Sequence, residues 1–170
     1  MIDTGELLAL AQIAIAFAGF SALVTVLGSR AAGNDVRIDA FRLRGLVEIA
    51  LMVGAFSLFP IIPHKLSFAD ETVWRISSIV FLLVRTAGMY FAVRKLRTIA
   101  HLGTSLDYKV GRWTIWPLLL LSYAALLTVA SGLFPSANSA LYFATLYMDL
   151  VQSGILFALV VSSVMTIESK

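Results

Sequence analysis

Two opposite charges lie deep inside hydrophobic stretches of this 170-residue chain, Arg85 in the third stretch and Asp149 in the fifth. Counting about 1.5 Å per helical residue from one surface places Arg85 about 18 Å deep and Asp149 about 14 Å deep. Either charge alone near the centre of a bilayer would cost at least about 2.5–3.5 kcal/mol. We therefore predict a salt bridge between these side chains. The pair either lines a path for an ion, a proton or an anionic ligand, or it only fixes how two helices pack.

Polar residues recur along the fifth stretch at spacings of three and four, which places them on one face of a helix. They are Tyr142, Thr145, Asp149, Gln152 and Ser153. Lipid cannot satisfy such a stripe, so it must face protein or water. Ser78 lies two turns before Arg85 on the same side of its helix. The sequence therefore predicts a polar seam between the third and fifth helices.

A second pair of opposite charges, Arg44 and Glu48, lies near the start of the second stretch. Residues four apart are neighbours on a helix surface, which favours an ion pair at the cytoplasmic interface. A cytoplasmic gate or proton site at Glu48 is the alternative.

Small residues characterise the first stretch. Ala14, Ala18 and Ala22 repeat every four residues and Gly19 lies beside them, a pattern that lets helix backbones approach closely. Gln12 adds an amide that could hydrogen-bond to another helix or belong to the polar pathway. The pattern leaves open whether the contact forms within one subunit, between subunits or around an oligomeric pore.

The elements that must position these residues are five apolar stretches, at residues 7–28, 46–62, 73–93, 113–134 and 140–166. The chain is 59% hydrophobic and 14% charged, with a mean hydropathy of +0.90. A helix needs about 20 apolar residues to cross the hydrocarbon core. These features predict an all-α integral membrane protein, a bundle of five transmembrane helices forming a single domain over residues 1–170. A short amphipathic cytoplasmic segment is expected at residues 35–45.

Basic residues concentrate in alternate loops, which decides the expected orientation. The segments after the first and third stretches hold Arg30, Arg37, Arg42, Arg44, Arg94, Lys95, Arg97, Lys109 and Arg112. We therefore expect the N-terminus outside and the C-terminus in the cytoplasm, with the bacterial cytoplasmic membrane as the location. The basic loops could also bind anionic lipid at about 1 kcal/mol per basic residue.

Several chemistries lack their residues. The chain has no cysteine, which excludes thiolate catalysis and thiolate-bound metals. Its histidines, His64 and His101, fall in loops expected on opposite sides of the membrane, so they cannot share a metal ion. We expect no metal, no cofactor, no catalytic residue and no nucleic-acid partner, because orientation explains the basic residues.

These observations favour a small homo-oligomeric membrane channel or channel-like transporter, with the polar seam near its pathway. The alternative is a structural or regulatory membrane subunit in which Arg85 and Asp149 only hold helices together. A third hypothesis, an intramembrane enzyme that holds an anionic lipid or thiol substrate at Arg85, lacks an accompanying acid–base group.

Overall fold

The structure, a computed structural model, describes residues 4–28, 36–99 and 106–167, which form helices and short turns without a β-strand. The elements are α1 (Thr4–Gly28), α2 (Val36–Leu58), α3 (Ile61–Lys65), α4 (Asp70–Ile99), α5 (Leu106–Ser131), a 3-10 turn (Pro135–Ala137) and α6 (Asn138–Ile167). Five of the described helices, α1, α2, α4, α5 and α6, are long and apolar enough to cross a membrane. The predicted all-α class is confirmed for the described residues, and their five long helices have the length and composition that membrane spans need.

Helix α6 occupies the centre of the bundle, because it contacts α1, α2, α4 and α5. Helix α1 packs mainly on α2, and α4 packs mainly on α5. Buried apolar residues from these five helices form one core, in which the rings of Phe56 and Phe81 stack with centroids 4.4 Å apart. The polar residues of the α6 stripe are buried as well, so the stripe lies in the interior of the bundle.

The second span contains a break near its C-terminal end. Helix α2 ends at Leu58, and Pro60 precedes the single turn of α3, as expected from a residue that lacks a backbone N–H. At the other end, the amphipathic segment expected at residues 35–45 continues into the span, because α2 is one helix from Val36 onwards. Residues 29–35 and 100–105, which include Arg30, residue 35 of the expected amphipathic segment and His101, lie outside the described residues.

Close packing of α1 on α2 occurs at Gly54. A Cβ atom on Gly54 would lie 3.8 Å from the Ala14 Cβ and 3.9 Å from the Ala11 carbonyl oxygen. Ala14 and Ala18 are buried, so these two predicted packing residues do pack within the subunit.

Gly19 and Ala22 do not belong to this contact, because both are exposed. A repeat of four residues drifts about 40° per step around a helix with 3.6 residues per turn. Ala22 has therefore turned away from the buried side of α1, on which Ala14 and Ala18 lie. Gly19 follows Ala18 directly and so lies about 100° around the helix.

A short connection at residues 132–137 joins α5 to α6. Gly132 has a φ of +70°, a left-handed conformation that glycine adopts without steric cost. Arg75 of α4 donates to the carbonyl of Ser131 at 3.0 Å. A cation placed on a C-terminal carbonyl stabilises the end of a helix.

Candidate functional site: the polar seam

The centre of the site is the ion pair between α4 and α6. Nη1 of Arg85 donates to Oδ2 of Asp149 at 2.6 Å, and the two side chains are only 6% and 2% exposed. The predicted salt bridge is therefore confirmed. Removing one partner of a buried pair leaves an uncompensated charge, which is strongly destabilising.

Aromatic rings cover the guanidinium group of Arg85. Its Cζ atom lies 4.9 Å from the ring centroid of Tyr123 in α5 and 5.9 Å from that of Phe81 in α4. A desolvated cation over an aromatic face gains about 2 kcal/mol. Sequence reasoning missed Tyr123, because nothing in the apolar run of α5 indicates which side faces Arg85.

The carboxylate of Asp149 uses only one of its oxygens in the ion pair. Its Oδ1 atom is buried and has no hydrogen-bond partner among the described residues. The hydroxyl of Ser122 in α5 lies beside the carboxylate and donates to the carbonyl of Leu119 at 2.9 Å. Sequence reasoning also missed Ser122, which could turn its hydroxyl from the backbone to Asp149 by rotation about χ1.

The other members of the predicted seam divide into two groups. Thr145 donates to the carbonyl of Leu141 in its own helix at 2.9 Å, and Ser153 donates to the carbonyl of Leu46 in α2 at 3.3 Å. In contrast, Ser78 Oγ and Gln152 Nε2 are buried without a hydrogen-bond partner among the described residues. The seam therefore combines satisfied hydroxyls with unused hydrogen-bonding atoms.

Three predicted site residues lie outside this seam. Gln12 is exposed on the surface of α1, so it is not part of the interior polar network. Arg44 and Glu48 form the predicted i,i+4 ion pair, with Nε 2.5 Å from Oε1. Their side chains are 64% and 57% exposed, so this pair lies on the surface of α2.

The chemistry available in the seam is hydrogen bonding and charge compensation. Its groups are a guanidinium, a carboxylate with one open oxygen, an amide and several hydroxyls. In the part of the chain that the structure describes, no group of three His, Asp or Glu residues could hold a metal ion. No protein-family model, curated protein or solved structure matches this chain. The geometry of the seam is therefore the basis for a functional proposal.

Proposed function

We propose that this chain is a small homo-oligomeric channel-like transporter whose pathway follows the polar seam between α4, α5 and α6. The observation that carries the proposal is the unused hydrogen-bonding capacity of the seam. Ser78 Oγ, Asp149 Oδ1 and Gln152 Nε2 are all buried without a partner among the described residues. Most buried polar atoms in folded proteins have a partner, and each exception calls for an explanation.

The unpaired atoms extend over a substantial part of the membrane. Helices α4 and α6 are the third and fifth crossings, so they run in the same direction. Ser78, seven residues before Arg85, then lies near the level of Tyr142, and Gln152 lies ten residues further along α6. This separation corresponds to about 15 Å of helix, half of a hydrocarbon core of about 30 Å.

The same side chains are closed to solvent in this conformation, since Ser78, Asp149 and Gln152 are each no more than 2% exposed. Transport therefore requires a small opening between helices. Helix α4 is suited to such a movement, because it packs mainly on α5 and contacts the central α6 less extensively.

The proposal also includes the orientation of the chain in the membrane and its location in the cell. The basic segments that flank α1, α2, α4 and α5 support an N-terminus outside and a C-terminus in the cytoplasm, by the positive-inside rule. The cytoplasmic membrane of a bacterium is the proposed location, with anionic lipid around the basic loops.

The test is ion flux in liposomes that contain the purified protein. The double variant Arg85→Gln with Asp149→Asn removes both charges together and retains a polar side chain at each position. The control, Arg44→Gln with Glu48→Gln, removes the exposed ion pair of α2 in the same way. We expect flux from the wild type and the control, and an altered conductance or selectivity from the seam variant. Absence of wild-type flux under every gradient, or an unchanged seam variant, would contradict the proposal.

A structural or regulatory subunit is the second candidate, and a specific observation favours it. The ion pair is sealed and its cation lies over Tyr123 at 4.9 Å, as expected of a contact that holds three helices together. In that case the wild type passes no ions, and the charge-free variant affects only assembly or thermal stability.

A further inference from the structure

Gln12 places a primary amide on the exposed surface of α1, inside the span Gly5–Leu23. It lies about 10 Å from the Gly5 end of that span, at 1.5 Å per residue. The structure gives its side chain no hydrogen bond to another described residue. In a bilayer this side chain therefore meets hydrocarbon, which offers its amide neither a donor nor an acceptor.

Two exposed hydroxyl groups within the spans, those of Thr128 and Thr86, do have a partner in the subunit. The hydroxyl of Thr128 donates to the carbonyl of Ala124 at 2.8 Å, and the hydroxyl of Thr86 lies 3.4 Å from that of Tyr123. A glutamine amide carries two N–H donors and a carbonyl acceptor, and no described residue of the subunit pairs with these groups of Gln12. The amide of Gln12 is therefore open to a partner from outside the subunit.

The residues beside Gln12 allow another helix to come close. Ala9, Ala16 and Gly19 lie on the same side of α1 and are exposed. A Cβ atom on Gly19 would find no other atom within 4 Å. We call Ala9, Gln12, Ala16 and Gly19 the exposed α1 face.

We propose that the exposed α1 face is the contact between two copies of this chain, with the Gln12 amides hydrogen-bonded to each other across it. The occupant is a second copy because a primary amide is self-complementary, with a donor and an acceptor in the same group. Small residues on both sides of Gln12 permit the close backbone approach that such a bond needs. The inference rests on the homo-oligomer of the proposed function and assigns its subunit contact.

Crosslinking tests the contact directly, because the chain has no cysteine. Ala16→Cys places a thiol on the exposed α1 face, and Leu127→Cys places one on an exposed position of α5. Under mild oxidation in dilute proteoliposomes, Ala16→Cys should form a disulfide dimer and Leu127→Cys should remain monomeric. No dimer from Ala16→Cys, or crosslinking only to a different protein in native membranes, would overturn the proposal.

Association measured by fluorescence transfer between labelled copies tests the role of the amide. Gln12→Leu should weaken association by about 3- to 30-fold, the range expected for an interhelical hydrogen bond in a membrane. Gln12→Asn retains the amide and should recover part of the affinity. Unchanged association of Gln12→Leu would contradict the proposal.

Gly19→Ile provides a steric test with a matched control. Gly88→Ile places the same side chain on an exposed glycine of α4 that also has no atom within 4 Å of a Cβ position. Only Gly19→Ile should weaken association, and equal effects of the two variants would overturn the assignment. Ion flux is recorded for the same variants. If a variant associates weakly but its flux is normal, transport does not need the oligomer. If the protein dimerises normally but passes no ions, the transport proposal is wrong and the α1 contact stands.

Discussion

The hydroxyl of Tyr142 in α6 donates to the backbone carbonyl of Phe56 in α2 at 2.8 Å, and both residues are buried. In a continuous helix this carbonyl would accept from the N–H of residue 60, which is a proline and has none. The tyrosine thus supplies the hydrogen bond that Pro60 removes, and it ties the break in α2 to the central helix.

Tyr142→Phe should destabilise the protein by about 1–3 kcal/mol, because it leaves the buried Phe56 carbonyl unsatisfied. Unfolding by denaturant in detergent micelles measures this change. Tyr147→Phe, at an exposed position of the same helix, is the control and should have little effect.

A double-mutant cycle with Pro60→Ala examines the same relationship. Alanine at position 60 supplies an N–H to the Phe56 carbonyl, so Tyr142→Phe should cost less in that background. Equal costs in both backgrounds would show that Tyr142 does not replace the missing bond.

The ion pair leads to a second prediction about stability. Arg85→Gln or Asp149→Asn alone should cost roughly 3–5 kcal/mol, because either leaves a buried charge without compensation. The two changes together should cost less than the sum of the single effects. Thermal unfolding of the four proteins in one detergent gives the coupling, and simple additivity would mean that the side chains do not interact.

Gly54 gives a third prediction, about the α1–α2 contact. Gly54→Ala should be neutral or stabilising by about 0.4–1 kcal/mol, since its Cβ makes ordinary contacts and alanine restricts the unfolded chain. Gly54→Leu should destabilise by about 1–3 kcal/mol by overpacking. If leucine is tolerated as well as alanine, the two helices are further apart than the structure shows.

Orientation gives a fourth prediction, which a membrane-impermeant maleimide tests. Ser136→Cys, in the exposed turn before α6, should react when the reagent is added to intact cells. Ser105→Cys, in the segment between α4 and α5, should react only after the membrane is permeabilised. The reverse pattern would invert the proposed topology.

The sequence predicts the ion pair because Arg85 and Asp149 carry opposite charges at similar depths in two apolar helices. Without each other, each charge would be isolated in the membrane. It does not predict Tyr123 or Ser122, whose approach to the pair depends on how α5 is rotated. Small residues lie on both sides of α1, so spacing alone could not separate the buried Ala14 and Ala18 from the exposed Gly19 and Ala22. The bond from Tyr142 to Phe56 also depends on how α6 is placed against the break at Pro60.

The most direct test of a transport role for the seam is ion flux through Gln152→Met in liposomes, measured beside the wild type. Methionine has a similar shape but removes the unpaired amide, so stability should be unchanged or raised. If the seam is the pathway, flux should fall by about tenfold, the effect of roughly 1.4 kcal/mol on a barrier. Wild-type flux from this stable variant would contradict the account.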